Sequence, residues 1–322
     1  MPLEIDLESF WEGEGCKGAL LRWIDAALEE DRATEDCTTR ALFGPAVARV
    51  RGVVTAGESG VFCGGPAAEE VFRRLDSGLE VHDRAPEGSE ARPGEILLEV
   101  DGGLGAILAG ERTALNILSH LSGIATVTRR WAELAAPVTV LDTRKTLPGL
   151  RLFQKYAVRV GGGENHRSSL AASPLVKENH RALFRARHLA PGATAAEEVS
   201  ELLRRLRAED AELPVGIEVE DRDSFLACLQ QGVDIVLLDN QAPERISEWI
   251  HEAEAQGLPV APGQLEASGG IRGENLAAYA SCGVSRVSLG AITHSVRALD
   301  LSLDVRWTDR GGAEEGGGGE GR

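Results

Sequence analysis

Cationic residues, clustered where the rest of the chain is acidic, carry the chemistry of this sequence. Arg112 lies in Glu111-Arg112-Thr113-Ala114-Leu115-Asn116, and Arg144 and Lys145 lie in Asp142-Thr143-Arg144-Lys145-Thr146. His166-Arg167 follow Gly161-Gly162-Gly163, and Lys177 opens Lys177-Glu178-Asn179-His180. Between Asp142 and His180, Arg144, Lys145, Arg151, Lys155, Arg159, Arg167 and Lys177 meet only Asp142, Glu164 and Glu178. The whole chain, by contrast, has 51 Asp+Glu against 34 Lys+Arg. A basic cluster inside an acidic protein predicts a pocket for a small anion. A net charge of -17 repels a long polyanion, so nucleic acid is not the expected partner.

Arg144, Arg167 and Lys177, with Arg112 in reserve, suit a cage for a dicarboxylate. Guanidinium forks match carboxylates, and each charge-assisted bond contributes roughly 1.5–3 kcal/mol. Scattered surface cations are the alternative, but Arg144 and Lys177 directly follow apolar, strand-like runs. The glycines before His166 let the backbone turn tightly, which makes His166 a candidate hydrogen-bond donor to substrate. Glu220 and Asp239 end successive strand-like runs and suit Mg²⁺ or sugar hydroxyls, with Glu218 a second candidate two residues earlier on the same face. Ser268-Gly269-Gly270 and Gly290-Ala291 follow the last two such runs. Small residues at a helix start leave backbone N–H groups free for phosphate.

The elements that position these groups read as follows. Leu20, Leu21, Ile24, Ala27 and Leu28 predict a helix after an acidic, weakly structured lead-in to about Lys17. Short strands, Val50–Val54 and Ile96–Val100 among them, precede a long helix marked by Leu115, Leu118, Leu121 and Ile124. Then Val138–Asp142, Leu175–Lys177, Val215–Glu220, Ile235–Asp239, Leu265–Ser268 and Val287–Gly290 alternate with helices such as Ala195–Arg207, Ser224–Leu229 and Glu274–Ala280. That alternation predicts βαβ units with parallel pairing. Nearly every strand ends in a charged or Gly-rich cluster, as in a parallel barrel whose catalytic groups gather at the carboxyl ends of its strands.

No apolar run approaches the roughly 20 residues that span a bilayer. The N-terminus lacks the basic start and apolar run of a signal peptide. Cys16, Cys37, Cys63, Cys228 and Cys282 are odd in number and scattered, which fits free thiols in a reducing cytoplasm.

Together the motifs resemble the quinolinate phosphoribosyltransferase family, over roughly Leu20 to Leu303. Arg112-x-x-x-Asn116, Ser122-Gly123-Ile124-Ala125-Thr126, Asp142-Thr143-Arg144-Lys145-Thr146, Gly161-Gly162-Gly163, His166-Arg167, Lys177-x-Asn179-His180, Glu218-x-Glu220, Leu238-Asp239-Asn240 and Ser268-Gly269-Gly270 occur in family order. The resemblance implies an α/β chain: an N-terminal α/β sandwich domain at 18–122, completed by about 299–308, and an incomplete parallel α/β barrel at 123–298. An acidic lead-in, 1–17, and a disordered Gly/Glu tail, 309–322, flank them. It also implies a cytoplasmic homodimer whose active site spans the interface, with Arg112 coming from the neighbouring subunit.

By the same resemblance, Arg144, Lys145, His166, Arg167 and Lys177 hold quinolinate and the pyrophosphate side of phosphoribosyl pyrophosphate. Glu220 and Asp239 hold ribose hydroxyls and Mg²⁺. Ser268, Gly269, Gly270 and Gly290 hold the 5′-phosphate, and Lys145, Lys177, Glu220 and Asp239 are the catalytic set. The products are nicotinate mononucleotide, CO₂ and pyrophosphate. The chain departs from the pattern at Gln154, where the family usually has Glu, and at Ala172, where a carboxylate is usual. Glu35 also replaces a usual Gly, and the stretch from Glu220 to Asp239 is about two residues short. These departures leave open a paralogue acting on a different aromatic acid, and a non-catalytic binding protein on the same fold. Retention of Lys145, Lys177, Glu220 and Asp239 argues against the last.

Overall fold

The computed structural model describes residues 6, 7, 9–44 and 48–308. The Gly/Glu tail and the first five residues of the lead-in lie outside them. α1 (Glu14–Glu30) buries Cys16, Leu20 and Ile24, spaced by four along one face. It begins inside the stretch read as weakly structured, and a 3-10 turn precedes it at Phe10–Glu12. Apolar side chains supply the anchor that acidic composition hid: Cys16 is buried, and Phe10 stacks on Tyr156 with ring centroids 4.2 Å apart.

α2 (Cys37–Phe43) starts at Asp36, whose carboxylate accepts from the backbone amides of Thr38 and Thr39. Then come β1 (Arg49–Ala56), β2 (Gly60–Val61), α3 (Gly65–Leu75), β3 (Glu80–Arg84), β4 (Glu90–Ala91) and β5 (Ile96–Gly103). α4 (Leu104–Ala135) follows, beginning well before the apolar stripe at Leu115 that announces it.

From there strands and helices alternate: β6 (Thr139–Leu141), α5 (Arg151–Val160), β7 (Leu175–Val176), α6 (Glu178–His188), α7 (Ala195–Glu209), β8 (Gly216–Val219), α8 (Arg222–Gln230), β9 (Ile235–Asp239), α9 (Pro243–Ala255), β10 (Leu265–Ser268), α10 (Leu276–Ala280), β11 (Arg286–Ser288) and α11 (Ala291–His294). Helix starts are capped by sequence: Thr194 and Glu197 form a reciprocal capping box for α7, and Asp221 caps α8. β12 (Leu301–Trp307) then pairs antiparallel with β1, Val54 opposite Leu303.

By contacts the chain divides into two units. One holds Trp11–Gly123 together with the chain from Ala298 onward; the other holds Ile124–Arg297 together with the start of the chain up to Phe10. The first contains an antiparallel sheet in the order β12-β1-β5-β3. The second contains six parallel strands in the order β6-β11-β10-β9-β8-β7. A lone parallel bridge from Leu141 to Glu164 extends the β6 side. The class is α/β, with the second unit barrel-like and open between β6 and β7.

Partners in a parallel ladder point to the same face, so the register sorts the side chains. Val140, Val219, Leu238, Ala267 and Val287 share one face and are buried; α8 packs on β8 and β9. The opposite face is polar. One row runs Glu218, Leu237, Glu266, Arg286, Thr139, and the next, nearer the carboxyl ends, runs Asp239, Ser268, Ser288, Leu141. A polar interior row is wasted in a purely structural barrel. It marks the face where a ligand would sit.

Candidate active site

The loop after β6 and the glycine turn after α5 are tied together by one buried carboxylate. Asp142, fully buried, accepts from Lys155 Nζ, from Asn165 Nδ2 at 2.7 Å and from the His166 backbone N–H at 2.9 Å. Lys155 Nζ also donates to the His166 carbonyl at 2.8 Å. Burial pushes the Asp142 carboxyl up and the Lys155 ammonium down, and each is offset by the other's charge. Gly161 permits the turn: a Cβ there would stand 2.6 Å from the carbonyl oxygen of Ala125.

This network sets Arg167 beside Arg144. Burial first, then the Arg144 charge, lowers the Arg167 guanidinium from its ordinary value. Arg167 donates to the Ser173 carbonyl at 2.9 Å, while the buried Arg144 Nε has no hydrogen-bond acceptor. Among the described residues no carboxylate forms an ion pair with Arg144, Lys145 or Arg167. Two like charges held together without a carboxylate partner are electrostatically suited to an anion.

Lys177 leaves β7 as the N-cap of α6, its N–H donating to His180 Nδ1 at 3.1 Å. Its ammonium crosses to Glu218 Oε2 on β8, 2.5 Å away. Asp239 lies in the same electrostatic neighbourhood: burial and then Glu218 raise its carboxyl, and Lys177, Asn240 and Lys145 oppose the rise. Lys145, Lys177, Glu218 and Asp239 are therefore one cluster. Thr293 Oγ1 donates to the Lys145 carbonyl at 2.8 Å, and a Cβ on Gly290 would meet Lys145 Cδ at 2.9 Å, so Lys145 and Gly290 are neighbours.

Three expectations need correction. Glu220, chosen over Glu218, is exposed beyond the end of β8, and its carboxyl is raised by partial desolvation and by Glu178, Asp239 and Glu218. Glu218 holds the Lys177 contact, because it lies one ladder row deeper. Ser268-Gly269-Gly270 does not open a helix: α10 starts at Leu276, after a turn in which Asn275 donates to the Gly270 carbonyl at 3.1 Å. The glycines serve backbone geometry instead, with φ of +86° at Gly269 and +65° at Gly270, and any Cβ on Gly269 would strike the Asn240 side chain. The basic run also divides in function. Lys155, Arg151 and Arg159 bind Asp142, the Ser168 carbonyl and the Gly163 carbonyl, so these three serve the loop structure, whereas among the described residues Arg144, Lys145 and Arg167 form no ion pair.

Arg112 belongs to the other unit, exposed on α4, with Glu111 3.9 Å away. Sequence reading missed Glu266, fully buried in the polar ladder row with His166 Nε2 3.4 Å away. Strand alternation alone placed it on the same face as Glu218 and Asp239. It also missed what Gln154 does: the amide accepts from Leu147 N–H at 2.9 Å and donates to the Thr293 carbonyl at 3.3 Å. Among the described residues no three His, Cys, Asp or Glu side chains are gathered for a metal. Mg²⁺ commonly takes one or two carboxylates and completes its shell with substrate oxygens and water. Of the carboxylates here, Asp239 and Glu220 carry no ion pair among the described residues, whereas Glu218 is paired with Lys177.

Among the described residues, the barrel unit thus carries a pair of arginines without a carboxylate partner, Arg167 buried and Arg144 half-buried, together with a Lys–Glu–Asp cluster. Comparison with known proteins gives that description a family. The quinolinate phosphoribosyl transferase C-terminal domain model matches residues 124–304, and the N-terminal domain model matches residues 36–122. The chain belongs to this family. It is 40% identical over 289 residues to the nicotinate-nucleotide pyrophosphorylase [carboxylating] of Mycobacterium leprae (strain TN), covering 88% of this chain and 95% of the relative. It is 33% identical to quinolinate phosphoribosyltransferase [decarboxylating] 1 of Nicotiana glauca, covering 88% and 81%. The solved nicotinate-nucleotide pyrophosphorylase from Francisella tularensis superposes with a TM-score of 0.78 at 33% identity, covering 90% of this chain and 96% of that one.

Proposed function

We propose that this chain transfers phosphoribose from phosphoribosyl pyrophosphate to quinolinate, releasing pyrophosphate and CO₂ and forming nicotinate mononucleotide for NAD biosynthesis. The carrying observation is the Arg144–Arg167 pair, half-buried and buried respectively and lacking a carboxylate partner among the described residues, in a chain whose family acts on quinolinate, a dicarboxylate. In this reading the two guanidiniums hold the quinolinate carboxylates and so orient the ring nitrogen. Lys145 and Lys177 face the pyrophosphate, whose departure from C1 of the ribose they assist by holding its negative charge. Asp239 and Glu218, with Glu220 on the rim, take the ribose hydroxyls and stabilise positive charge at C1. Ser268, Gly269, Gly270 and Gly290 frame the 5′-phosphate.

The pyridine nitrogen forms its bond to C1 as the C1–O bond to pyrophosphate breaks. The pyridinium then receives the electron pair of the adjacent C–CO₂⁻ bond, and CO₂ leaves. A proton replaces it on the ring. Asp239 and a second carboxylate, Glu220 or Glu218, would hold Mg²⁺, which when bound would supply further charge neutralisation to the pyrophosphate.

The reading includes a homodimer whose partner contributes Arg112. Its support is an apolar groove on the barrel unit, bordered by Leu170, Leu175, Leu183 and Phe184, where Leu170 is 71% and Leu183 75% exposed. We place the enzyme in the cytoplasm, where its five unpaired cysteines stay reduced. Among the described residues, no helix is long and apolar enough to cross a membrane. The test is purified protein with quinolinate, phosphoribosyl pyrophosphate and Mg²⁺, followed for nicotinate mononucleotide. Product from another aromatic acid and none from quinolinate would overturn this acceptor assignment.

A further inference from the structure

The buried carboxylate of Glu266 has no role in the chemistry above, yet it lies in the ladder row directly beneath Ser268 and Asp239. It is 0% exposed, and neither carboxylate oxygen has a hydrogen-bond partner. Two cationic or potentially cationic groups face it: His166 Nε2 at 3.4 Å and Arg286 Nε at 3.8 Å. Arg286 is anchored through Nη2 to the Gly263 carbonyl, so its Nε stays at ion-pair distance from Glu266 without a hydrogen bond. A carboxylate without a hydrogen bond in a dry interior is disfavoured, so it draws the nearest available donor, and the His166 ring is closer than Arg286 Nε.

His166 is that donor, because its other nitrogen is already assigned. The Arg167 backbone N–H donates to His166 Nδ1 at 2.7 Å, which makes Nδ1 an acceptor and leaves the ring proton on Nε2, facing Glu266 Oε1. The ring thus joins the buried carboxylate to the backbone of Arg167. Asp142 fixes the same segment from the other side through the His166 N–H.

We infer that Glu266 is a positioning residue: it holds His166 as the Nε2–H tautomer and, through the Nδ1 bond, fixes the backbone from which Arg167 reaches the substrate carboxylate. His166 then acts mainly through Arg167, rather than as a free donor to the acid. The proposal rests on the assignment of Arg167 to the acid site, but its first test does not.

That test is ¹⁵N NMR of the histidine ring nitrogens in the ligand-free full chain, with His166 assigned by comparison with His166→Asn. The expected signature is a protonated Nε2 and an unprotonated Nδ1. An Nδ1–H tautomer in the native protein overturns the proposal whatever any variant does. Kinetics supply the second test. Glu266→Gln keeps an oxygen acceptor and should retain the tautomer, with KM for quinolinate within about threefold of native. Glu266→Leu removes the acceptor and should lose the tautomer preference, raising that KM by about tenfold or more while kcat changes less. A folded Glu266→Leu protein with native tautomer and native KM would refute the role. Should the tautomer be as expected while quinolinate is not turned over at all, the acceptor assignment fails and the Glu266–His166 link stands.

Discussion

Arg144 and Arg167 repel each other, and burial makes that repulsion felt. Such an arrangement costs stability, and on the proposed reading a bound dianion would offset that cost. Arg144→Ala should therefore raise KM for quinolinate by about 10- to 100-fold, the worth of one charge-assisted bond, while leaving thermal stability equal or higher. Steady-state kinetics and a melting curve read both halves of that statement. Glu218 and Glu220 separate in the same way. Glu218→Gln should cut kcat/KM by about 100-fold or more, because it unpairs Lys177 and weakens the site that takes ribose, whereas Glu220→Gln should cost less than about tenfold. Equal losses from the two would contradict the assignment by depth. Asp239 adds a pH signature. Its folded-state value lies above the unfolded one, so folding favours the protonated form. This group's contribution to stability is fully present below the ordinary carboxylate value and is lost as pH rises through the raised value. Asp239→Asn should then be more stable than native near neutrality, with the difference shrinking in acid, and should be nearly inactive. Residue types at the site were legible in sequence. Depth was not: alternation puts Glu218 and Glu220 on one face equally, and only the Lys177 contact distinguishes them.

At the scale of elements, the strands announced themselves because their outward rows are uniformly apolar. β9 and β10 have the bounds read from sequence. α5 did not announce itself, because Arg151, Lys155 and Arg159 gave it the look of a solvated cationic stretch. In the structure Lys155 is fully buried against Asp142, a pairing between positions 13 residues apart that no local pattern predicts. Lys155→Met should cost about 3–5 kcal/mol in urea unfolding, since it strands the Asp142 carboxylate. The Asp142→Asn/Lys155→Met double variant should recover much of that loss. The α4 start left no mark in the sequence for a related reason: the turns from Leu104 carry Gly105 and Gly110, which weaken a helical signal before Leu115. Gly161 fits where a methyl group would collide with the Ala125 carbonyl oxygen, so Gly161→Ala should destabilise by about 1–3 kcal/mol.

At the scale of the whole molecule, the proposed homodimer would bring Arg112 of one subunit and the Arg144–Arg167 pair of the other into one active site. Arg112→Ala and Arg144→Ala proteins, assayed at a quinolinate concentration too low for either to turn over appreciably alone, should regain about a quarter of native activity when unfolded and refolded together in equal amounts, since half the dimers are mixed and each has one intact site. No recovery, with dimers present, would place Arg112 outside the partner's site. Leu183→Glu should weaken the dimer, measured by sedimentation. The central claim is decarboxylating transfer to quinolinate, and its most direct measurement uses quinolinate labelled with ¹³C in the carboxylate next to the ring nitrogen, with phosphoribosyl pyrophosphate and Mg²⁺. The account predicts one labelled CO₂ for each nicotinate mononucleotide formed and for each pyrophosphate released. Label retained in the nucleotide, or phosphoribosyl pyrophosphate bound without any CO₂, would contradict it.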